Sequence, residues 1–234
     1  MKMLWALHGQ LQTDRVWKHL PLPAGWQLEP VDLWADRPVS LTAFAGALNR
    51  QRRLTPGDTH VLMGYSLGGR LAMAAATAAP ELWHGLVVVA AHPGLTSVEK
   101  RLDALAKDRH WARRFREEPT ETVLDDWYAL PVFAGMPPAL RFQPGSAPTD
   151  FIAEAYDAWS KGRQPDYSDA LGHLPFPVHY ISGAQDATYT ALGQHLHACA
   201  PNVQTHVIDG AGHRVPWEQP AAFEYLLNQI LTSM

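Results

Sequence analysis

The chain has little of what would commit it to a membrane, a metal or a disulfide framework. Of its 234 residues one is a cysteine, Cys199, which excludes an internal disulfide and favours a reducing compartment, so a cytoplasmic location is expected. No apolar stretch approaches the roughly 20 residues of a bilayer-spanning helix. The longest, residues 71–79, stops at Pro80, and no membrane association is expected. Met1-Lys2 runs straight into a short apolar segment, unlike a secretory leader. Charge of one sign is scarce too: 19 Lys and Arg against 23 Asp and Glu give a formal net charge of −4, with no global attraction for nucleic acid. A Walker-type phosphate loop is missing. His195, His197 and Cys199 stand two apart on an expected helix, point to different sides and make poor co-ligands, so neither metal nor cofactor is expected.

What the chain has is alternation. Apolar runs at 3–7, 28–33, 59–63 and 86–91 are separated by segments with helical spacing. Ser40 is a good N-cap for a helix over 40–53, and an Ala-rich helix over 67–79 ends at Pro80. Apolar strands alternating with helices predict a mostly parallel sheet covered on both faces, an α/β fold. From 95 to 168 the strand signal disappears. Val98, Leu102, Leu105, Ala112 and Phe115 trace one stripe of a long helix, and 150–160 reads as another. Strands return at 178–182 and 205–208, with helices over 191–200 and 220–231. The expected organisation is a core of residues 1–94 and 169–234, with a helical cap over 95–168 inserted after the strand at 86–91.

Chemistry enters at Gly64-Tyr65-Ser66-Leu67-Gly68, a G-x-S-x-G pattern between an apolar strand and a helix of small residues. Alone the pattern is weak; in that context it reads as a nucleophile elbow, with Ser66 presented at the carboxyl edge of the sheet. A serine hydroxyl needs a base and an orienting acid, expected in the order Ser, acid, His. Asp186 follows the strand at 178–182 and His213 the strand at 205–208, so both reach that edge. Asp209 is the competing acid, and Asp186 could instead cap the helix after it. His8-Gly9-Gln10, after the first strand, reads as the turn giving one oxyanion-hole N–H at Gln10, with the second at Leu67. Arg70, one turn into the Ser66 helix, suits a carboxylate ligand, hence a small and anionic substrate. Between Lys100 and Arg116 seven basic residues face two acidic ones, either an anion-attracting face or a solvated one. Trp127 and Tyr128 could line a pocket or pack the cap.

The elbow and the His loop resemble those of the α/β-hydrolase superfamily. Within it, Gly64 through Arg70, His92-Pro93-Gly94-Leu95, Asp108-Arg109-His110-Trp111-Ala112-Arg113-Arg114-Phe115, Asp126-Trp127-Tyr128 and Pro131-Val132-Phe133 resemble the 2-succinyl-6-hydroxy-2,4-cyclohexadiene-1-carboxylate synthases of menaquinone biosynthesis. That resemblance implies a lyase eliminating pyruvate, with Ser66 as base, His213 activating it and Asp186 orienting the ring. It further implies substrate contacts from Tyr65, Arg70, Trp127, Tyr128 and Arg141. A cap arginine of the family falls here on Ala104, for which Arg101, one turn earlier, is the expected substitute. Asp32-Leu33-Trp34 replaces a longer family loop, and the family's leading antiparallel strands are absent. A serine hydrolase of small esters, thioesters or carbon–carbon bonds is the alternative.

Overall fold

Six strands form the sheet among the described residues: β1 (Lys2–Leu7), β2 (Trp26–Val31), β3 (Thr59–Tyr65), β4 (Gly85–Val89), β5 (Val178–Gly183) and β6 (Val203–Ile208). The computed structural model describes residues 1–133 and 136–234. All strand pairs are parallel, in the order β2-β1-β3-β4-β5-β6. The central strands are apolar on both faces because both are covered. Along β1, Met3, Trp5 and Leu7 enter one hydrophobic cluster, while Leu4 and Ala6 enter the other. The edge strand β2 is less buried and carries Pro30, which an edge tolerates because fewer ladder donors are required there.

The first cluster lies under α1 (Leu41–Leu54) and α2 (Leu67–Ala78), and it extends into α3 (Val98–Glu117), α4 (Thr120–Tyr128) and α5 (Thr149–Ala158). The second is closed by α9 (Pro220–Thr232), through Phe223, Leu227, Ile230 and Leu231. Short α6 (Ser168–Gly172), α7 (Ala187–Cys199) and α8 (Val215–Glu218) complete the helices. No strand occurs among the described residues between Val89 and Val178; Ala134 and Gly135, within the expected cap segment, lie outside them. The apolar stripe read along α3 is buried only at its C-terminal end. Ala112 and Phe115 pack inside, Leu105 is half-buried, and Val98 and Leu102 are 72% and 61% exposed, because the first turns of α3 project past the apolar core.

Chain order reverses between β1 and β3, and this positions the site. Paired strands there run in register to Leu7↔Gly64, so the turns after them emerge side by side. In open parallel sheets the crevice at such a switch point is where ligands sit.

Candidate active site

Ser66 occupies the turn between β3 and α2 with φ +51° and ψ −110°, a strained conformation for a residue with a side chain. The flanking glycines are steric necessities. A Cβ on Gly64 would strike the backbone of Gly68, and one on Gly68 would strike the carbonyls of His8 and Leu7. The strain is held by Ser66 N–H donating to Val89 O (2.9 Å) and by Arg70 N–H donating to Ser66 O (3.2 Å). The nearby turns contain the other two non-glycine residues of positive φ among the described residues, Leu11 and Ala90.

His213 Nε2 lies 3.3 Å from Ser66 Oγ, and His213 Nδ1 lies 2.9 Å from Asp186 Oδ2. Asp186 makes two contacts: Oδ1 accepts from Tyr189 N–H (3.2 Å) and caps α7, while Oδ2 meets the imidazole. The Asp and His loops are stitched together by Gln185 N–H donating to Ala211 O (2.8 Å) and Ala184 N–H donating to Ile208 O (3.0 Å). Gly183 permits this approach, because a Cβ there would meet the carbonyls of Ala211 and Gly212. Glu218, on α8, accepts from Gly212 N–H and braces the His loop, a role no motif announces. Asp209 is exposed and makes no hydrogen bond or ion pair with His213, whose polar partners are Asp186 and Ser66.

The His8-Gly9-Gln10 turn is tied to the short Asp32-Leu33-Trp34 segment. Buried His8 donates from Nδ1 to Gly9 O (2.9 Å) and accepts from Leu33 N–H at Nε2 (3.0 Å). Trp34 Nε1 donates to Gln12 O (2.6 Å), and Gly9 N–H donates to Gln12 Oε1 (2.8 Å). Gln10 and Leu67 border the same cavity as Ser66. Leu67 is the first residue of α2, whose N–H has no acceptor within its own helix.

That cavity, about 480 Å³, separates the expected contact residues into two groups. Arg70 and Trp127 line it. Tyr65 lies on the opposite face of the sheet, its ring edge-on to Trp217 (4.9 Å between centroids) and 5.6 Å from His213, so it braces the imidazole from below. Tyr128 is buried, its hydroxyl accepting from Phe142 N–H (2.6 Å), and Arg141 sits over its ring at 5.2 Å; neither residue borders the cavity. Arg101 donates from Nε to Gly162 O (3.1 Å) and also lies off the cavity wall.

The α3 residues that do face the cavity are Lys100, Asp103, Ala104, Lys107, Asp108 and Trp111, which share one helical face. Arg101 stands one residue off that face, whereas Lys100 and Lys107 lie one turn to either side of Ala104. Lys161, in the turn after α5, adds a further cation. Its pKa is lowered by burial and by the nearby Arg70; burial also brings Arg70 down to about 10 and raises Asp108. Arg70 is anchored by Gln164 Oε1 (2.5 Å from Nε) and by the carbonyl of Trp159. Lys161 and Gln164 escaped the sequence reading because they belong to no spaced motif. Among the described residues no group of His, Cys, Asp or Glu is arranged to hold a metal, and no helix is long and apolar enough to cross a membrane.

Comparison with known proteins agrees with this architecture. The family model for the alpha/beta hydrolase fold matches residues 34–220. The 2-succinyl-6-hydroxy-2,4-cyclohexadiene-1-carboxylate synthase of Salmonella typhimurium is 38% identical over 231 residues, spanning 96% of this chain and 84% of that protein. Its namesake from Salmonella paratyphi B is 41% identical over 177 residues, 73% of this chain and 67% of that one. Among solved structures, MenH from S. aureus superposes with a TM-score of 0.89 at 21% identity, over 99% of this chain and 94% of that one. A thermophilic esterase from Thermogutta terrifontis, solved with malate bound, gives 0.80 at 23% identity, over 100% and 90%. The chain belongs to the α/β-hydrolase fold family and, within it, to the 2-succinyl-6-hydroxy-2,4-cyclohexadiene-1-carboxylate synthase family of enzymes.

Proposed function

We propose that the protein is a cytoplasmic lyase that eliminates pyruvate from an anionic cyclohexene carboxylate, using Ser66 as the base. The observation that carries this reading is the pairing of a Ser66–His213–Asp186 relay with a cavity wall holding Arg70 and Lys161. A purely apolar ester would gain nothing from the cations on this wall, Arg70, Lys100, Lys107 and Lys161 against Asp103 and Asp108; carboxylates would be held and oriented by them.

In this mechanism Asp186 keeps the proton of His213 on Nδ1, so that Nε2 can accept from the Ser66 hydroxyl. Ser66 Oγ takes a carbon-bound proton from the substrate as its own passes to His213. The electron pair of that C–H bond becomes a ring double bond, and the bond to the leaving pyruvate breaks. The proton on His213 is then available to the departing group. Negative charge building on a substrate oxygen would meet the N–H groups of Leu67 and Gln10. Lys161, rather than Arg101, takes the place of the cap arginine missing at Ala104.

A serine hydrolase is the second reading, favoured by the same 3.3 Å Ser66–His213 contact, which serves nucleophilic attack equally well. Pyruvate release from the menaquinone intermediate, compared with hydrolysis of short p-nitrophenyl esters, separates the two. Ester turnover without pyruvate release, or an acyl adduct on Ser66 by mass spectrometry, overturns the lyase assignment.

A further inference from the structure

The turn that carries Gln10 is held in a strained shape by side chains that lie off the Ser66 cavity. It runs from Gly9 to Gln12, and within it Leu11 has φ +50°, in the left-handed region that a side chain disfavours. The Leu11 side chain is 1% exposed and locked in the first hydrophobic cluster. Gly9 is confined too, because a Cβ there would lie 2.7 Å from the Tyr65 ring.

Two hydrogen bonds close this turn. Gln12 Oε1 accepts from Gly9 N–H (2.8 Å), three residues back, and Gln12 O accepts from Trp34 Nε1–H (2.6 Å). Trp34 is itself fixed. Its backbone N–H donates to Asp32 Oδ1 (3.0 Å), and its indole, 4% exposed, packs with the rings of His8 (5.7 Å) and Trp159 (6.3 Å). One indole N–H thus ties the turn after β1 to the segment after β2, 22 positions away.

Gly9 N–H is taken up by Gln12, whereas Gln10 N–H donates to no protein group among the described residues. An oxyanion donor works by being in place before charge develops, since reorganisation during the reaction forfeits its benefit. Without the two closing bonds, the strain at Leu11 would be relieved by a shift of the turn, carrying Gln10 N–H away from Ser66.

We propose that Trp34 and Gln12 are positioning residues that hold the Gln10 N–H at the oxyanion site beside Ser66. The proposal rests on the reading of Gln10 N–H as an oxyanion donor to Ser66 chemistry. It extends the catalytic machinery to two side chains that do not border the cavity.

Two variants test it. Trp34→Phe removes the indole N–H and keeps an aromatic ring; Gln12→Leu removes the side-chain acceptor at a half-buried position. The first readout is the rate at which diethyl p-nitrophenyl phosphate labels Ser66, a reaction that places a phosphoryl oxygen at the oxyanion position. The second is kcat and KM for the turnover that the wild type shows, pyruvate release or p-nitrophenyl ester hydrolysis. Each variant is expected to lower the labelling rate and kcat about ten- to a hundredfold, with KM within about twofold. Because both act on one turn, the double variant should lose less than the product of the two single losses. Wild-type rates in both variants overturn the proposal, as do multiplicative losses in the double variant. A lowered melting temperature with unchanged kcat and labelling rate per folded site also overturns it, by reducing both residues to a structural role. Should Trp34→Phe fail to fold, Gln12→Leu decides alone on the same rates. Wild-type ester hydrolysis without pyruvate release would remove the lyase reading and leave this test standing; a wild type that neither labels nor turns over would overturn both.

Discussion

Arg70 and Gln164, 94 positions apart, are joined by a 2.5 Å hydrogen bond from Nε to Oε1. The same glutamine donates from Nε2 to the carbonyls of His92 (2.9 Å) and Pro93 (2.8 Å). One buried amide thereby ties the helix behind Ser66, the loop after β4 and the end of the expected cap segment into a single wall.

Gln164→Leu preserves size but strands a guanidinium N–H and two carbonyls. At about 1 kcal/mol per lost bond, and roughly 2–4 °C per kcal/mol for a domain of this size, a Tm drop of about 5–10 °C is expected. Pyruvate release should fall about tenfold in kcat/KM as Arg70 loses its anchor. A thermal melt and initial-rate kinetics check both; an unchanged Tm would contradict the bracing role.

Asp186→Asn should lower kcat by about 10³–10⁴ with KM within about twofold, because the imidazole loses both its favoured tautomer and the charge that stabilises its protonated form. Asp209→Asn should be silent, since that carboxylate is exposed and makes no hydrogen bond or ion pair with His213. Equal losses in the two variants would reassign the acid.

Lys161 and Arg101 are expected to separate kinetically. Lys161→Met removes a charge from the cavity wall and should raise KM for an anionic substrate about tenfold, while Lys161→Arg retains most of the affinity. Arg101→Met should leave KM unchanged, because that side chain is bonded to Gly162 O off the cavity. The reverse pattern in steady-state kinetics would restore Arg101 as the substitute for the missing arginine.

Acid should destabilise the fold through His60. Its Nδ1 accepts from the Trp5 indole N–H (3.0 Å), which requires an unprotonated ring nitrogen. Burial, with Arg52 nearby, brings its pKa down to about 4. The unfolded chain, titrating near 6.5, binds the proton more readily than the native one between those values. Stability therefore rises with pH across that window and is lost as pH falls through it. Tm is expected to drop by several degrees from pH 7 to pH 4.5. His60→Gln, which can still accept from Trp5 but does not titrate, should flatten the dependence; an equally steep curve would point to the His179–His206 pair instead.

Much of the frame was legible locally. Strands with both faces apolar, such as β3 and β4, announced a covered parallel sheet, and Gly64 and Gly68 flanked the one serine that a tight strand–helix turn could present. Ser66, Asp186 and His213 could be named as candidates because Ser66 directly follows β3 and the other two lie in the loops after β5 and β6, and strand ends of a parallel sheet share one edge. Chain position alone could not tell which side of that edge a neighbouring ring would take. Tyr65 is adjacent to Ser66, yet its ring lies beneath the sheet against Trp217. Arg101 and Lys100 are adjacent too, and the 100° step of a helix puts only Lys100 on the cavity wall. Lys161, Tyr156 and Trp159 carry no spacing signal; they reach the cavity because α5 packs on α3, a long-range contact that no local pattern encodes. The sequence by itself determined the strand order of the chemistry and the identity of Ser66, His213 and Asp186 as its candidates. Tertiary packing alone decided which cations and donors surround them, because those groups meet through faces of helices distant in the chain.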